Sequence, residues 1–474
     1  MVSSRKAPSA ESSGRLEAHV AAEMTAQVAA AMTAQVAPGA ATVTVGLSGG
    51  VDSVVLLALL RRIAPGLGFE LRALHVNHGL SPHAADWERF CQTHCARRRV
   101  PFQAVRVRVP GEGSNIEAQA RAARYRAFSE CGSELIALAH HRDDQAETLL
   151  LNLVRGSGVH GLAGMPAVRS LDGAQDAAHA SRVRLIRPLL RIARSDLLRY
   201  ARSQRLRWIE DESNRDARFT RNFLRLQVLP LLERRFPGTH ETLARSAAHL
   251  RDAAALLDEL AAADCAASGD GHRLDLQRLC ALGAARGANA LRHLLACHGE
   301  APPSLARTRE MLRQLTSART DAQPAIDLER ISVRRFRGWI ELVALGPLER
   351  EREPLPWNGE RSLRLADGAE LIARPSRGNG ISAARLHTAA VTIRRRRGGE
   401  RVRIAHTGAM RTLKNLLQEA GVAPWVRARM PLVYCGERFA WAPFVGVAAD
   451  FRAVAGERAW QFCWRPRGAS EHFG

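Results

Sequence analysis

The chain has 474 residues, of which 24% are charged, and it carries a formal net charge of +22 with a pI near 11.2. A chain of this length is expected to form two or three domains, and such a basic protein attracts polyanions, including nucleic acids. No stretch offers the roughly 18 to 20 apolar residues that a membrane helix requires, and none of the eight cysteines forms a Cys-X-X-Cys pair that would indicate a metal site.

The first 40 residues are rich in alanine and precede the first predicted strand. They repeat Met-Thr-Ala-Gln-Val-Ala at 24–29 and at 32–37. Acidic side chains at Glu11, Glu17 and Glu23, together with the lack of a continuous apolar core, argue against a signal peptide. We therefore predict an extension outside the catalytic domain, either disordered or a weak helix.

A phosphate-binding loop is predicted next. An apolar run at 42–47 is typical of a buried strand, and Ser-Gly-Gly-Val-Asp-Ser at 48–53 separates it from an apolar helix. A Walker-type P-loop needs a lysine directly after its last glycine. The only lysines of the chain are Lys6 and Lys414, so this type of loop is excluded. The loop instead suits pyrophosphate binding, with Asp52 as a Mg²⁺ ligand, in an enzyme that cleaves ATP between its α and β phosphates. The residues predicted to bind the nucleotide are Ser48, Gly49, Gly50, Val51, Asp52 and Ser53.

Further strands alternate with helices up to residue 153. Strands are predicted at 71–76, 102–109 and 135–139, which favours an α/β fold with a doubly wound parallel sheet. Ligands bind beyond the carboxyl ends of the strands in such a sheet, where Asn77-His78-Gly79 and the polar run 140–144 lie. Asp144 is predicted to be the second Mg²⁺ carboxylate, because Mg²⁺ commonly takes one or two carboxylates plus substrate phosphates.

Two neighbouring patterns have more than one interpretation. Asp143 and Glu147 could favour the start of the helix at 145–154 through its dipole. In the helix predicted at 115–125, Glu117, Arg121 and Arg124 share one face. That face is either a solvated, salt-bridged surface or an arginine clamp on phosphate.

These motifs resemble those of the bacterial tRNA(Ile)-lysidine synthetases. The resemblance rests on the loop at 48–53, the block Ala-His-His-Arg-Asp-Asp-Gln-Ala-Glu-Thr at 139–148, and Arg187-Pro188-Leu189-Leu190. The stretches 115–125, 155–158, 208–225 and 413–432 are also similar. The resemblance covers about 42 to about 450, more weakly between 265 and 390. It implies an N-type ATP pyrophosphatase domain with a Rossmann-like sheet, a helical middle domain and a small α+β C-terminal domain.

The resemblance also implies a reaction. ATP would adenylate the C2 carbonyl oxygen of the wobble cytidine in the CAU anticodon of a minor isoleucine tRNA, and the amine of free lysine would then displace AMP. The product, lysidine, changes decoding from AUG to AUA. ATP and Mg²⁺ are the implied cofactors, and the tRNA and free lysine are the implied partners.

Residue roles follow from the same resemblance. Asp52 and Asp144 would hold Mg²⁺, and His140 would contact the transition state of adenylation. Arg221, together with Arg121 and Arg124, would orient phosphate, the activated base or the carboxylate of lysine, and these roles are not separated. The lysine amine would be bound by Glu117 or Asp211.

The predicted domain organisation places the N-terminal extension at 1–40, the catalytic domain at 41–220, the middle domain at 221–346 and the C-terminal domain at 357–474. Leucines at helical spacing between 224 and 264 favour helices in the middle domain. The segments 361–365 and 389–394 are predicted strands, and 170–181 is predicted to be a surface loop.

The predicted tRNA-binding residues lie in the C-terminal domain: Arg394, Arg395, Arg396, Arg397, Lys414 and Arg427. A run of arginines beside a Pro424-Trp425 corner could grip tRNA, or it could be a solvated face in a chain that has accumulated arginine passively. Lys414 offers a compact ammonium to the tRNA backbone, although chance explains a single lysine equally well.

Two other function classes compete with the ligase. One is another ATP pyrophosphatase, such as a tRNA thiolase or a small-molecule amidotransferase, and the other is a catalytically dead tRNA-binding relative. The lack of paired cysteines disfavours the thiolase, and retention of Asp52 and Asp144 disfavours the dead relative. Free thiols and use of ATP predict the cytoplasm and no membrane, and a homodimer is left open.

Overall fold

The computed structural model describes residues 10–31, 42–108, 116–171, 183–269, 273–319, 322–345 and 354–466. The chain divides into two compact units, Met1–Ala263 and Asp264–Gly474. In the described ranges no helix combines the length and the apolarity needed to cross a membrane.

The first unit is built around a six-stranded sheet with the strand order β3-β2-β1-β4-β6-β5. All neighbours pair in parallel except β5 and β6, which are antiparallel. The strands are β1 (Thr42–Gly46), β2 (Glu70–Asn77), β3 (Phe102–Arg106), β4 (Leu135–Ala137), β5 (Val168–Ser170) and β6 (Arg184–Ile186). The predicted doubly wound parallel sheet is confirmed, and the third strand ends at Arg106, three residues before its predicted end.

Helices surround this sheet. They are α1 (Ala10–Ala31), α2 (Val51–Leu67), α3 (Ala84–Ala96), α4 (Ile116–Glu130), α5 (Arg142–Val154), α6 (Val159–Leu162), α7 (Arg194–Ser203), α8 (Thr220–Phe223), α9 (Leu229–Arg235) and α10 (Thr239–Ser268). A π-helical turn, Leu224–Val228, joins α8 to α9. The apolar face of α2 packs on the sheet, where Val54, Leu57 and Leu60 are fully buried.

The position of β1 determines where the site lies. This strand pairs with β2 on one side and with β4 on the other, so the connections that follow β1 and β4 lead to neighbouring positions at one edge of the sheet. Such a topological switch point is where open α/β sheets bind ligands. The loop after β1 is the glycine-rich motif, and the loop after β4 begins the two-histidine block.

The N-terminal segment differs from the prediction. Residues 10–31, predicted to be disordered or weakly helical outside the catalytic domain, form the helix α1. Val20 and Met24 are fully buried in the same apolar core as β1 and α2. Of the two predicted alternatives, disorder is wrong for residues 10–31 and a helix is found. It differs from the prediction in packing on the catalytic domain, which covers its apolar side chains.

The boundary between the compact units lies beyond the predicted end of the catalytic domain at residue 220. Helix α10 contacts the catalytic domain through Arg251, whose Nη2 donates to the carbonyls of Ala163 at 3.0 Å and Met165 at 3.2 Å. This anchoring explains why the compact unit extends to Ala263.

The second unit begins inside the predicted middle domain, 221–346, and the helical stretch predicted at 224–264 belongs almost entirely to the first unit. The helices of this part of the second unit are α11 (Leu276–Ala281), α12 (Ala284–Cys297) and α13 (Leu305–Ser317). They pack with an antiparallel four-stranded sheet that was not predicted, in the order β7-β10-β9-β8. The strands are β7 (Arg273–Asp275), β8 (Ala325–Asp327), β9 (Ile331–Phe336) and β10 (Trp339–Ala344).

The C-terminal part is α+β, as predicted. Its strands are β11 (Leu355–Pro356), β12 (Ser362–Arg364), β13 (Glu370–Arg377), β14 (Ile381–Ser382), β15 (Val391–Arg395), β16 (Arg401–Val402), β17 (Arg411–Thr412), β18 (Pro431–Cys435), β19 (Arg438–Ala442), β20 (Gly446–Val447) and β21 (Arg458–Arg465). Its helices are α14 (Ala383–Leu386), α15 (Leu413–Glu419) and α16 (Pro424–Arg429). A five-stranded sheet and a four-stranded sheet share one apolar core.

Two predicted connections fall mostly outside the described residues. The predicted surface loop at 170–181 begins at the last residue of β5, and 172–182 are not among the residues described. The predicted boundary between middle and C-terminal domains, at 346 and 357, borders the segment 346–353, which is also outside them. Both remain predictions.

Candidate active site

The glycine-rich loop has the geometry of an anion-binding turn. Gly49 has a φ of +89°, and a Cβ built there would lie 2.9 Å from Cδ1 of Ile209. Gly50 is the N-cap of α2 and has no side chain to satisfy the first N–H groups of that helix. The hydroxyls of Ser48 and Ser53 lie 3.2 Å apart beside these groups. The loop therefore presents backbone donors and two hydroxyls at a helix N-terminus, which suits a phosphate group.

Asp52 faces the two-histidine block from the first turn of α2. Its Oδ2 lies 3.7 Å from Nε2 of His141, and its Oδ1 lies 4.0 Å from Nε of Arg194. The Oδ1 atom is buried and has no hydrogen-bond partner in the described part of the chain. A buried carboxylate oxygen without a donor is costly, and a cation at this position would remove that cost.

His141 joins the two predicted metal ligands. It is almost fully buried, and its Nε2 lies 3.4 Å from Oδ2 of Asp144 as well as 3.7 Å from Asp52. Its Nδ1 accepts from the backbone N–H of Asp144 at 3.4 Å, so the other ring nitrogen carries the proton towards the carboxylates. Burial lowers the pKa of His141, but the two carboxylates outweigh it and the net shift is upward.

Asp144 begins helix α5 through a capping box. Its Oδ2 accepts from the backbone N–H of His141 at 2.9 Å, while the ring of His141 caps the backbone of Asp144 in return. Asp144, rather than Asp143, thus supplies the capping carboxylate at the helix start. Burial raises the pKa of Asp144, yet its interactions with His141 and Arg221 lower it to a net value below normal.

A cluster of two acids and two arginines, which we call the acid–arginine cluster, lies beside this cap. It consists of Asp144, Glu147, Arg221 and Arg225. Oδ1 of Asp144 accepts from Arg221 at 3.1 Å and from Arg225 at 3.3 Å. Glu147 is 1% exposed and accepts from the Nε atoms of the same arginines at 2.7 and 2.6 Å. The helix α5 supplies both acids at i and i+3, and the α8–π-helical segment supplies both arginines at i and i+4.

His140 is held by an arginine from the end of β6. Nε of Arg187, which is 2% exposed, donates to Nδ1 of His140 at 3.3 Å. Burial, with the positive charges of Arg187, Arg221 and Arg121, lowers the pKa of His140 to about 3, and Asp144 only partly opposes this. The ring is therefore neutral near pH 7, and its Nε2–H is the remaining donor.

The other predicted substrate residues lie around the same edge. Arg121 and Arg124 are exposed on α4. Burial is the main reason why the pKa values of His140 and His78 are lowered, and Arg121 lowers the first and Arg124 the second further. Asp211 follows Ile209, whose backbone N–H donates to the carbonyl of Gly49 at 2.9 Å. Glu117 belongs to α4, but its side chain lies outside the described residues.

The sequence predictions missed four functional candidates at this edge. These are His141, Glu147 as a buried ion-pair partner, Arg187 and Arg225. Both Arg187 and Arg225 stand in motifs that carried the family resemblance, so the motifs were the signal that could have found them. Local spacing could not, because Arg225 meets Glu147 across 78 residues of chain.

The two predicted metal ligands at this edge differ in how well they suit Mg²⁺. Among the described residues no group of three or more histidine, cysteine or acidic side chains forms a complete metal site. Asp52 fits the ion because its Oδ1 is buried without a donor. Asp144 fits less readily, because His141, Arg221 and Arg225 already occupy its oxygens. A Mg²⁺ ion here would thus need phosphate oxygens for most of its coordination.

The predicted tRNA-binding run is largely neutralised by neighbouring acids. Arg394 pairs with Glu437 at 2.7 Å, Arg395 with Asp367 at 2.9 Å and Arg396 with Glu400 at 3.3 Å. Arg397 and Lys414 are exposed.

Arg427 is much less accessible than Arg397 and Lys414. It is 9% exposed, and its Nε donates to the carbonyl of Val422 at 2.6 Å, directly before α16. Burial, together with Arg396 and Arg337, lowers its pKa. Contact of Arg427 with tRNA stays a prediction.

Comparisons with known proteins agree with this architecture. Family models match three regions: a PP-loop domain at 20–232, a TilS substrate binding domain at 274–340 and a TilS substrate C-terminal domain at 391–464. Among solved structures, the U34-tRNA thiolase NcsA from Methanococcus maripaludis is 21% identical with a TM-score of 0.38, covering 49% of this chain and 80% of its own. A likeness at that level says nothing about activity.

Curated relatives match almost the whole chain. A tRNA(Ile)-lysidine synthase of Nitrosomonas europaea is 42% identical over 90% of this chain and 92% of its own length. One from an Azoarcus species is 41% identical over 91% of this chain and 93% of its own. One from Coxiella burnetii is 39% identical over 88% of this chain and 91% of its own length. With a PP-loop fold, a matching C-terminal domain and this identity along its length, the chain belongs to the tRNA(Ile)-lysidine synthase family.

Proposed function

We propose that this protein is an ATP-dependent ligase that joins free lysine to C2 of the wobble cytidine in the CAU anticodon of a minor isoleucine tRNA. The reaction would pass through an adenylated tRNA and release AMP and pyrophosphate. One observation carries the proposal: the phosphate-binding loop after β1 and the His140–His141 pair after β4 meet at the switch point of the sheet. The family to which the chain belongs names the product.

The loop would bind the leaving pyrophosphate. The first N–H groups of α2 and the hydroxyl of Ser48 would donate to phosphate oxygens, and the positive end of the helix dipole favours their charge. The hydroxyl of Ser53, which donates to the carbonyl of Gly50 at 2.9 Å, would have to turn to do the same. Mg²⁺ held by Asp52 would neutralise negative charge on the phosphates as the bond to the α phosphate breaks. Asp144 would become a second ligand of Mg²⁺ only if Arg221 and Arg225 released its Oδ1 atom.

His140 would stabilise the adenylation transition state. Because Arg187 occupies Nδ1, the neutral ring can donate through Nε2–H to an oxygen that gains charge. A neutral donor is useful here, since it neither repels Mg²⁺ nor loses its proton at physiological pH. Arg121 and Arg124, both exposed on α4, would hold phosphate.

Free lysine would bind at the acid–arginine cluster. An amino acid carries an ammonium and a carboxylate on one carbon, and the cluster offers two acids and two guanidinium groups in contact. The α-carboxylate of lysine can pair with Arg221 in place of one of the two acids of the cluster. The α-ammonium can then pair with the acid that has been displaced, so the number of ion pairs is preserved. This exchange avoids leaving a buried charge unpaired. Asp211, close to the loop, remains a candidate for the side-chain amine.

The tRNA would be held in part by the exposed cations Arg397 and Lys414 of the C-terminal domain. Such contacts are made to the backbone and weaken as salt increases. A homodimer and a cytoplasmic location remain predictions from the sequence.

The test uses purified protein, Mg²⁺-ATP, labelled lysine and isoleucine tRNA with a CAU anticodon. We expect one lysine incorporated for each AMP released. The control is the same tRNA with uridine at the wobble position, which should accept no lysine. AMP release without lysine incorporation would contradict the proposed function, because it would mean that another nucleophile completes the reaction.

A further inference from the structure

We propose that the N-terminal helix α1 is a positioning element of the active site, acting through Gln27 and Arg187 on the ring of His140. The catalytic role of His140 comes from the proposed function, and the inference rests on it to that extent. The chain of contacts from the helix to the ring comes from the structure alone.

The first contact joins α1 to the end of β6. Gln27 is 4% exposed, and its Oε1 accepts from the backbone N–H of Arg187 at 2.9 Å. Its Nε2 donates to the carbonyl of the same residue at 3.2 Å and to Glu23 at 3.2 Å. The backbone N–H of Arg187 also donates to the carbonyl of Ala167 at 2.9 Å, and its carbonyl accepts from Leu190 at 3.3 Å. The side-chain amide of Gln27 thus adds a second bond to each backbone group of Arg187 and restrains that residue directly after β6.

The second contact joins Arg187 to the ring. Its Nε donates to Nδ1 of His140 at 3.3 Å, and its Nη1 donates to the carbonyl of Pro166 at 2.7 Å. The guanidinium is planar and its donors have fixed directions, so these two bonds orient it as a unit. Because Nδ1 accepts, the proton of the neutral ring is on Nε2, which is the atom required to face the reacting groups.

The helix is held to the catalytic domain by other contacts as well. Val20 and Met24 are fully buried. Glu17 accepts from the hydroxyl of Tyr200 at 3.1 Å and pairs with Arg62 at 3.1 Å. Loss of the Gln27 bonds would therefore leave α1 docked, and Glu17 provides a control that disturbs the docking without touching Arg187.

The consequence is kinetic. Displacement of a catalytic group by about 1 Å can cost about a hundredfold in rate, and a ring that can flip or change tautomer offers the wrong nitrogen for part of the time. The binding of ATP and tRNA depends on other residues and should change little. We therefore expect the effect on the rate of adenylation rather than on affinity.

The experiment compares full-length wild type with Gln27→Met, Arg187→Lys and the control Glu17→Gln. Methionine keeps the size of Gln27 and removes both backbone bonds, whereas lysine keeps the charge of Arg187 and loses the two-donor geometry. The rate of tRNA adenylation is measured in a single turnover, with KM for ATP. The tautomer of His140 is measured in the free protein by ¹⁵N NMR of the histidine rings, assigned with His140→Gln.

For Gln27→Met and Arg187→Lys we expect the adenylation rate to fall at least about tenfold, with KM for ATP within about threefold of wild type. The Nδ1 signal of His140 should move from an unprotonated value towards a tautomer average. Glu17→Gln should keep the wild-type rate and spectrum.

An unchanged tautomer in Gln27→Met would refute the positioning role, and so would an equal loss of rate in Glu17→Gln. Failure of the proposed function looks different: wild type would then form no lysidine, while the NMR comparison would still support or refute the positioning of His140. If Arg187→Lys does not fold, Gln27→Met alone decides, since it leaves every charged group in place.

Discussion

Replacement of Gly49 by alanine should destabilise the catalytic unit, whereas the same replacement at Gly50 should not. Gly49 has a φ of +89°, and its new Cβ would lie 2.9 Å from Cδ1 of Ile209 and 3.2 Å from Sγ of Cys91. The end of the isoleucine side chain can rotate away, so the backbone strain dominates and costs about 1–3 kcal/mol. Gly50 has a φ of −70°, and its Cβ would lie 3.6 Å from the hydroxyl oxygen of Ser48, an ordinary contact.

The assay is calorimetric unfolding of the full chain, following the transition that ATP shifts. A loss of about 2 kcal/mol in a unit of this size should lower that transition by about 4–8 °C for Gly49→Ala. Gly50→Ala should stay near wild type or rise slightly, because alanine restricts the unfolded chain at a backbone conformation that it tolerates. Equal shifts in the two variants would refute the argument from φ, and an unshifted Gly49→Ala would show that the loop relaxes at no cost.

Three further predictions concern metal, ion pairs and tRNA. Asp52→Asn should suppress AMP release and leave tRNA binding unchanged, and retained release would remove Asp52 as a metal ligand. Glu147→Ala should cost about 3 kcal/mol in denaturant unfolding, because it removes a buried carboxylate that pairs with both arginines and leaves the two guanidinium groups to share Asp144. The double variant with Arg225→Met should recover part of the lost free energy of unfolding. A further loss in the double variant would mean that Glu147 is not the main ion-pair partner of Arg225. Lys414→Ala should reduce the salt dependence of tRNA affinity by about 1 in log–log slope, while Arg427→Lys should change thermal stability and not that slope.

The catalytic sheet could be predicted because its signals are local. A buried strand, paired glycines and an apolar helix follow one another without interruption between 42 and 60, and the structure places β1 and α2 there. The sheet of the middle domain was missed for an equally local reason. Its β9–β10 hairpin turns on Arg337 and Gly338, both with positive φ of 48° and 82°. Such a turn usually carries Asn-Gly or Asp-Gly, so Arg-Gly gave no hairpin signal.

Only those parts of the candidate site that lie within one continuous segment of the chain could be predicted. The loop at 48–53 and the two-histidine block were found because each is contiguous. Glu147 looked like a residue favouring a helix start, because its arginine partners lie more than 70 residues away. A helix was one of two alternatives predicted for the N-terminal segment, but its packing on the catalytic domain was missed, because the alanine content outweighed a real pattern. Val20, Met24 and Gln27 lie on one face at i, i+4 and i+7, and all three are buried.

The arginine run at 394–397 attracts tRNA less than its four charges suggest. In the run 394–397, three of the four arginines pair with acids of the same domain, and Arg394 also lies 4.7 Å from the centre of the Tyr434 ring. Those cations are already partly neutralised, so they release fewer counterions from a bound nucleic acid than free ones would. The salt dependence of tRNA binding should accordingly reflect the exposed Arg397 and Lys414 more than the paired majority of the run. A substitution that frees one of the paired arginines, such as Glu437→Gln beside Arg394, should strengthen tRNA binding and steepen its salt dependence. Unchanged affinity in that variant would place this face of the domain away from the tRNA.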